Sequence, residues 1–532
     1  VIAVLTAVLV GVLAAHGSAA RGASDGGIFR ISLPELDYVD PALAYFTWSW
    51  ALVDTTCARL MGYPDKPPPA GYRLTPEVAV AHPRISGDGK TYTFTLRSGF
   101  RFSDGAPVRA SAFARAINRT LAPGIESPGR QYTLDIVGAA DVIAGKTASA
   151  AGVVARGNTL TVRFTRRVFD FAAKTTMPFF CAVPPGLPSD PEGVGAVPAA
   201  GPYYVAEYRP GERVVLRRNR FYGGTRPHHV DGFDVDLTAA SWNIVLDRVE
   251  RGEADWGDVP VALYLDPARG LAARYGVNRS QFFVKPGFRL RYIAFNSSRP
   301  LFRDNARLRR AVNLALDRAA LRASVGGSNP QLYGRLTDQY LPHKLPGFRD
   351  ADIYPLHGPD VARARDVARG ATRGGKAIYY TPDHPIPVGL AQAAKRQLAE
   401  IGLDVEVRPI PISAYFERLA DPDEPWDLAL ANWAPDYLDP SQYINLLLDS
   451  EAGAGNNLGR FGSRTYDRLM RAAARLQGDA RYRAYGSLDV QLARDAAPLA
   501  ALFFENALTL VSKRVGCVVL TPVLDLTAVC LE

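Results

Sequence analysis

Residues Lys376–Trp433 read KAIYYTPDHPIPVGLAQAAKRQLAEIGLDVEVRPIPISAYFERLADPDEPWDLALANW. Three short β-rich runs, KAIYY, LDVEVRPI and DLALANW, alternate with two helical patterns, LAQAAKRQLAEIG and SAYFERLA, the first closed by Gly402. Strand–helix alternation of this kind predicts a parallel sheet with helices on its faces. Ligands of such sheets sit beyond the carboxyl ends of the strands, where loops surround a crevice. The chain leaves the last strand at Trp433 and continues as APDYLDP, with two aspartates. Asp439 precedes Pro440 and the apolar run SQYINLLL, so its carboxylate is expected to cap that helix. Asp436 has no comparable structural duty. A carboxylate beside aromatic rings in a partly dry cleft suits a cation, and Trp433 and Tyr437 could add flat walls or cation–π contact. The plainer alternative is a solvent-facing loop acid.

Upstream the pattern is different. IFRISL, from Ile28, reads as a strand, and Asp40 followed by Pro41 reads as a helix N-cap and first helical position. In TYTFTLR, Tyr92, Phe94 and Leu96 alternate with polar residues as a half-buried strand does, and a helix, RASAFARAINRTL, follows. NTLTVRFTR carries its own alternation. YYVAEYRPGERVVLRR is a hairpin signal around RPGE, followed by FDVDL and the helical SWNIVLDRVERGEADWG. LFRDNARLRRAVNLALDRAAL reads as an amphipathic helix with Asp304 as cap and Leu308, Ala311, Val312, Ala315 and Leu316 on one face. The chain therefore holds an α+β part and an α/β part, with no internal repeat.

With 532 residues, 47% of them hydrophobic and 22% charged, the composition is that of a globular protein with two or more domains. The net charge of +9 comes from arginines scattered through every segment, without a basic stripe or tail, so no nucleic-acid partner is expected. The first fifteen residues, VIAVLTAVLVGVLAA, are apolar and are followed by the small-residue stretch HGSAARGAS, the pattern of a secretory signal over residues 1–24. No cysteine follows the run to accept a lipid, so an exported, soluble mature protein is expected. Four cysteines suit an oxidising compartment and can pair in three ways. Cys517 and Cys530 bracket two apolar runs around a short break, which favours a local bridge and leaves Cys57 with Cys181; four buried thiols are the alternative.

Four blocks, DGKTYTFTLRSGFRFSDGAPV, GPYYVAEYRPGERVVLRRNRFYGG, YIAFNSSRPLFRDNARLRRAVNLALDR and WAPDYLDP, occur in order behind the apolar leader. In these the chain resembles the peptide- and nickel-type (family 5) extracellular solute-binding proteins of ABC importers, which include oligopeptide- and dipeptide-binding receptors. The resemblance covers essentially the whole mature chain. It implies an α/β, type II clamshell of two lobes with an extra α+β subdomain inserted in the first. Lobe I would comprise residues 25–55, 195–288 and 503–532, the insert 56–194, and lobe II 289–502. It further implies that Asp436 holds a ligand α-ammonium, that Trp433 lines the cleft, and that Tyr45, Phe46, Trp48 and Asn457 face ligand; the alternative for the Tyr45–Trp50 aromatics is helix core. The implied partners are a peptide or other small solute and the permease of an ABC transporter. The protein would be a monomer without cofactor, secreted to the periplasm or cell surface. Some oligopeptide receptors carry an acid after the first DP, where this chain has aromatics and threonine, so sugars, chelated metals and other small solutes stay open.

A secreted hydrolase is the competing class. Neither GxSxG nor HExxH occurs, and His228 and His229 lack companion ligands at metal spacing. An Asp436–Asp439 pair could suggest glycoside hydrolysis, but the capping task assigned to Asp439 removes one partner. A ligand-sensing receptor domain uncoupled from import would share the same binding fold.

Overall fold

A computed structural model describes residues 25–259, 265–326, 330–453, 455–517 and 525–532; the expected signal segment lies outside them. The chain opens with β1 (Ile28–Ser32) and α1 (Thr47–Thr56). Next come β2 (Arg84–Ile85), β3 (Thr91–Thr95), α2 (Ala110–Leu121), β4 (Val153–Arg156) and β5 (Thr159–Arg163). The middle holds β6 (Tyr203–Arg209), β7 (Arg213–Arg218), β8 (Gly232–Asp236), α3 (Trp242–Glu250), β9 (Trp256–Asp258), β10 (Phe282–Phe295) and α4 (Ala306–Ala315). The last part has β11 (Lys376–Pro382), α5 (Pro385–Ala399), β12 (Asp404–Ile410), α6 (Ile412–Ala420), β13 (Leu428–Trp433), α7 (Gly478–Gln491) and β14 (Leu499–Val511).

Strands β2–β5 form a separate four-stranded antiparallel sheet, in which Thr91 of β3 sits opposite Arg163 of β5. Its alternating Tyr92, Phe94, Leu160 and Val162 bury one face with Phe113 and Ile117 of α2. This period-2 burial is what the half-polar strands of the sequence require. All other named strands join an 11-stranded sheet in the order β12-β11-β13-β10-β14-β9-β1-β8-β7-β6, with a short strand at Arg335–Leu336 alongside β14. At one end β11 pairs in parallel with β12 and β13; at the other β1 pairs in parallel with β8 and β9. The long antiparallel strands β10 and β14 run from one end to the other. Ile293, Leu428 and Leu430 pack under α4 and α5, whereas Tyr292, Ala429 and Ala431 pack on the opposite face. Burial on both faces explains why DLALANW is a near-continuous apolar run.

The structure corrects several local expectations. After Asp40 the chain makes only a turn, and the helix begins at Thr47. The Asp40 carboxylate accepts the Ala42 N–H at 2.8 Å but is committed mainly to the guanidinium of Arg119, at 2.8 and 2.6 Å, in a fully buried fork. Asn305 rather than Asp304 caps α4, through its side chain and the Leu308 N–H, while Asp304 takes a positive φ of 49° to lead into it. The expected single helix from this region ends at Ala315, and a second runs over Arg318–Gly326. Asp439 does cap, accepting the Ser441 N–H at 2.9 Å, but the turn that follows is a 3₁₀ segment, Pro440–Gln442, and a separate helix begins at Asn445. Asp439 also forms a buried ion pair with Arg481 of α7, at 2.7 and 3.1 Å.

The cysteines pair as Cys57–Cys181 and Cys517–Cys530. The first bridge spans 124 residues and closes the base of the segment that carries the four-stranded sheet. The Asp40–Arg119 pair ties that segment to the turn before α1. Removing one member leaves a buried, unpaired charge. Arg119→Met is therefore expected to cost about 3–5 kcal/mol in urea unfolding, with Asp40→Asn in the same chain recovering most of it. A single-variant loss below about 1 kcal/mol would show the pair to be dispensable.

Candidate functional site

Asp436 lies in the loop that leaves β13, beyond the carboxyl end of the parallel strands. Residues distant in sequence meet it there. The Tyr132 hydroxyl donates to Asp436 Oδ2 at 2.7 Å, and the Tyr45 hydroxyl donates to Oδ1 at 3.3 Å. Among the described residues no arginine, lysine or histidine forms an ion pair with it. Burial pushes the Asp436 carboxyl above its ordinary value, and the Tyr132 and Tyr45 hydroxyls oppose that shift only in part. Burial also raises both phenols, with the Asp436 charge as a further cause. Asp436 is thus a half-buried acid flanked by two neutral donors, which makes it the best-placed carboxylate of this region to receive a cation.

An aromatic group backs it. Tyr45 meets Trp50 edge-on at 5.7 Å between centroids, Trp50 meets Phe179 at 5.7 Å, and Phe179 stacks with Tyr132 at 6.0 Å. Asp37 fixes the start of α1 by accepting the N–H groups of Tyr45 and Phe46 at 2.7 and 2.9 Å. Their rings are left out in solvent, at 44% and 47% exposure, unlike the core residues around them. Trp433, the last residue of β13, has a half-buried ring whose Nε1–H is buried without an acceptor.

The remaining expected site residues lie elsewhere. Trp48 is buried in the core beside β1 and β8. The Tyr437 ring inserts into the core of the four-stranded part, where its hydroxyl donates to Asp170, itself paired with Lys174 at 3.0 Å. Tyr437 is thus a plug between two parts of the chain rather than a wall of an open cleft. Asn457 is buried, and its amide donates to the Phe461 and Asp449 carbonyls and accepts the Phe461 N–H, which shapes the local turn. Tyr132, Trp50 and Asp170 were not singled out from the sequence. Tyr132 ends a short 3₁₀ turn, Pro128–Tyr132, in a stretch without periodicity, so only the fold brings it to Asp436.

Among the described residues no group of histidines, cysteines or acids could hold a metal ion, and no helix is long and apolar enough to cross a membrane. His228 and His229 face the Arg226 carbonyl and Asp25.

A sheet of two parallel ends joined by long antiparallel strands, with an inserted α+β unit and an acid at a strand exit, defines a two-lobed, type II solute-binding protein. The profile of the bacterial extracellular solute-binding proteins, family 5 Middle, matches residues 73–455, and the chain belongs to that family. It is a family of extracytoplasmic solute-binding proteins rather than enzymes. The chain is 25% identical over 495 residues to the probable D,D-dipeptide-binding periplasmic protein DdpA of Escherichia coli, covering 92% of this chain and 90% of that protein. It is 24% identical to the periplasmic oligopeptide-binding protein OppA of the same organism, covering 81% and 80%. Among solved structures it is similar to clavulanic acid biosynthesis oligopeptide binding protein 2, with a TM-score of 0.82, 24% identity and 96% of both chains covered. Against the unliganded open form of the murein tripeptide binding protein MppA the TM-score is 0.80, at 20% identity, covering 96% and 98%. These likenesses show the fold.

The hydroxyl donors hold the Asp436 pKa below the value burial alone would give. Tyr132→Phe is expected to raise it further, and Tyr45→Phe to do so less, in a carbon-detected NMR titration. An Asp436 titration unmoved by either change would show that the hydroxyls do not engage it.

Proposed function

We propose that the protein captures a peptide, or a similar small solute with a cationic end, between its two lobes, and that Asp436 pairs with that cationic end. The observation that carries this reading is the carboxylate itself: held between two tyrosine hydroxyls, raised by burial, and without a cationic side chain of the described residues to neutralise it. The names of the relatives, which include dipeptide- and oligopeptide-binding proteins, support a peptide as ligand. Trp433, Tyr45 and Phe46 would supply the apolar walls, with Trp433 Nε1 as an unused donor for a ligand carbonyl. The lobes would follow the boundaries expected from the sequence, with β10 and β14 as the crossing strands. The protein would act as a monomer at the outer face of the membrane and hand its ligand to the permease of an ABC transporter. Contact with both lobes at once would give the ligand its preference for the closed arrangement, and closure follows from that preference alone.

Free Asp436 must be ionised to accept an ammonium. Affinity is therefore expected to be full above its raised pKa and to fall as pH drops through it. Asp436→Asn should weaken binding by about 1.5–3 kcal/mol and flatten this pH dependence. Unchanged calorimetric affinity in the variant would remove Asp436 from the site. Native mass spectrometry of protein purified from its own host, followed by small-angle scattering with the co-purified ligand, should show a stoichiometric peptide and compaction. A bound ligand lacking any cationic group would contradict the reading.

A further inference from the structure

The short strands Met61–Gly62 and Thr75–Pro76 pair antiparallel, with Met61 opposite Pro76 and Gly62 opposite Thr75, and residues 63–74 project from them as an arm. The root of the arm belongs to the inserted part. Met61 is buried in the core of the four-stranded part, and Glu77, just past the root, pairs at 2.9 Å with Arg59, which in turn holds Asp54 of α1. The tip is seated elsewhere. Tyr72, 2% exposed, lies in a cluster whose other buried members, among them Tyr292, Tyr340 and Tyr443, all come from residues 290–504. The Tyr63 hydroxyl donates to the Leu438 carbonyl at 2.6 Å, and Arg73 pairs with Asp479 at 2.5 Å. A buried tyrosine ring removes about 150–250 Å² from water, whereas an ion pair whose two side chains are half exposed contributes little. The Tyr72 ring is therefore what seats the arm.

The arm is stiff, and its seat is a break in the large sheet. Residues 64–71, PDKPPPAG, hold four prolines, each with a fixed φ. Gly71 closes the arm on itself: a Cβ there would lie 2.0 Å from the Lys66 carbonyl oxygen. The Tyr72 ring meets Phe288 of β10 at 5.0 Å between centroids. Phe288 lies between Pro286 and Leu290, where the ladder of β10 with β14 shifts register, and it is the last residue of lobe I on the boundaries proposed above. Ladder hydrogen bonds are interrupted at such a break, so the crossing strands bend there most easily. A contact at the bend is displaced least when the two halves rotate about it.

We propose that the arm of residues 63–74 is a brace on the hinge. Rooted in the inserted part and seated in lobe II through Tyr72, it stays in place as the lobes open and close, and it confines their motion to a rotation about Phe288. The proposal rests on the lobe boundaries given above and not on the nature of the ligand, so it is tested without one. Nitroxide pairs at exposed positions of the full chain report the distances by pulsed electron resonance. Lys66→Cys with Gln477→Cys joins the arm to lobe II, Asn158→Cys with Gln477→Cys joins the insert to lobe II, and Gln392→Cys with Gln477→Cys lies within lobe II. In the otherwise wild-type protein the distance from arm to lobe II should be as narrowly distributed as the one within lobe II. Adding Tyr72→Ser should broaden it twofold or more and lengthen the distance from insert to lobe II. A wild-type distribution from arm to lobe II broader than the one within lobe II overturns the brace even if the variant does not fold. So does a folded Tyr72→Ser protein in which both distances are unchanged. Two separate distances within lobe II itself would overturn the boundaries, and the brace with them. Each of these results leaves the pairing of Asp436 with a cationic solute standing.

Discussion

A carboxylate that is half out of water and faces only hydroxyl donors is in an unfinished electrostatic state. Its two oxygens accept from Tyr132 and Tyr45, and burial lifts its pKa because those neutral donors do not replace bulk hydration. The contrast with the other acids of the region is instructive. Asp439, three residues on, has a buried guanidinium and a backbone N–H; Asp170 has Lys174 and the Tyr437 hydroxyl. Those acids are satisfied within the protein and have structural tasks. Among the described residues Asp436 has no cationic partner, only the two tyrosine hydroxyls.

The rest of the architecture can be understood as what brings three distant segments to that loop. Strand β13 is buried on both faces and fixes the exit point. The start of α1, clamped by Asp37, presents Tyr45 and Phe46. The four-stranded part supplies Tyr132 and is anchored by Cys57–Cys181, by the Asp40–Arg119 pair and by the Tyr437 plug. Because Tyr437 adjoins Asp436 in the chain, the contact that joins the two parts and the acid proposed to sense ligand occupy one short loop. Any rearrangement on binding would be felt by both.

Much of the fold was legible in the sequence because it rests on period. Alternation in TYTFTLR and TLTVRFT, the RPGE hairpin and the strand–helix alternation after Lys376 each become the expected element. The errors lie where one side chain has two claims on it. Asp40 looked like a helix cap and is instead held by Arg119, 79 residues away, an interaction no local pattern announces. Asp304 and Asn305 are equally good capping residues by type, and backbone geometry selects the second. At the site, Asp436 stood out because a strand exit is a local feature. Tyr132 did not, because what distinguishes it is the company the fold gives it. Tyr437 illustrates the reverse: an aromatic beside a site acid reads as a wall, but its ring finds a buried slot and a carboxylate partner on the other side.

The proposed role of Asp436 is to take up the positive end of the captured molecule. A crystal structure of the complex with trialanine tests this most directly, through the distance from the ligand's amino nitrogen to the Asp436 carboxylate. A charge-assisted contact of about 2.7–2.9 Å is expected, with the Tyr45 or Tyr132 hydroxyl displaced or shared. A bound peptide whose amino group lies elsewhere, with both tyrosine hydroxyls still on Asp436, would contradict it.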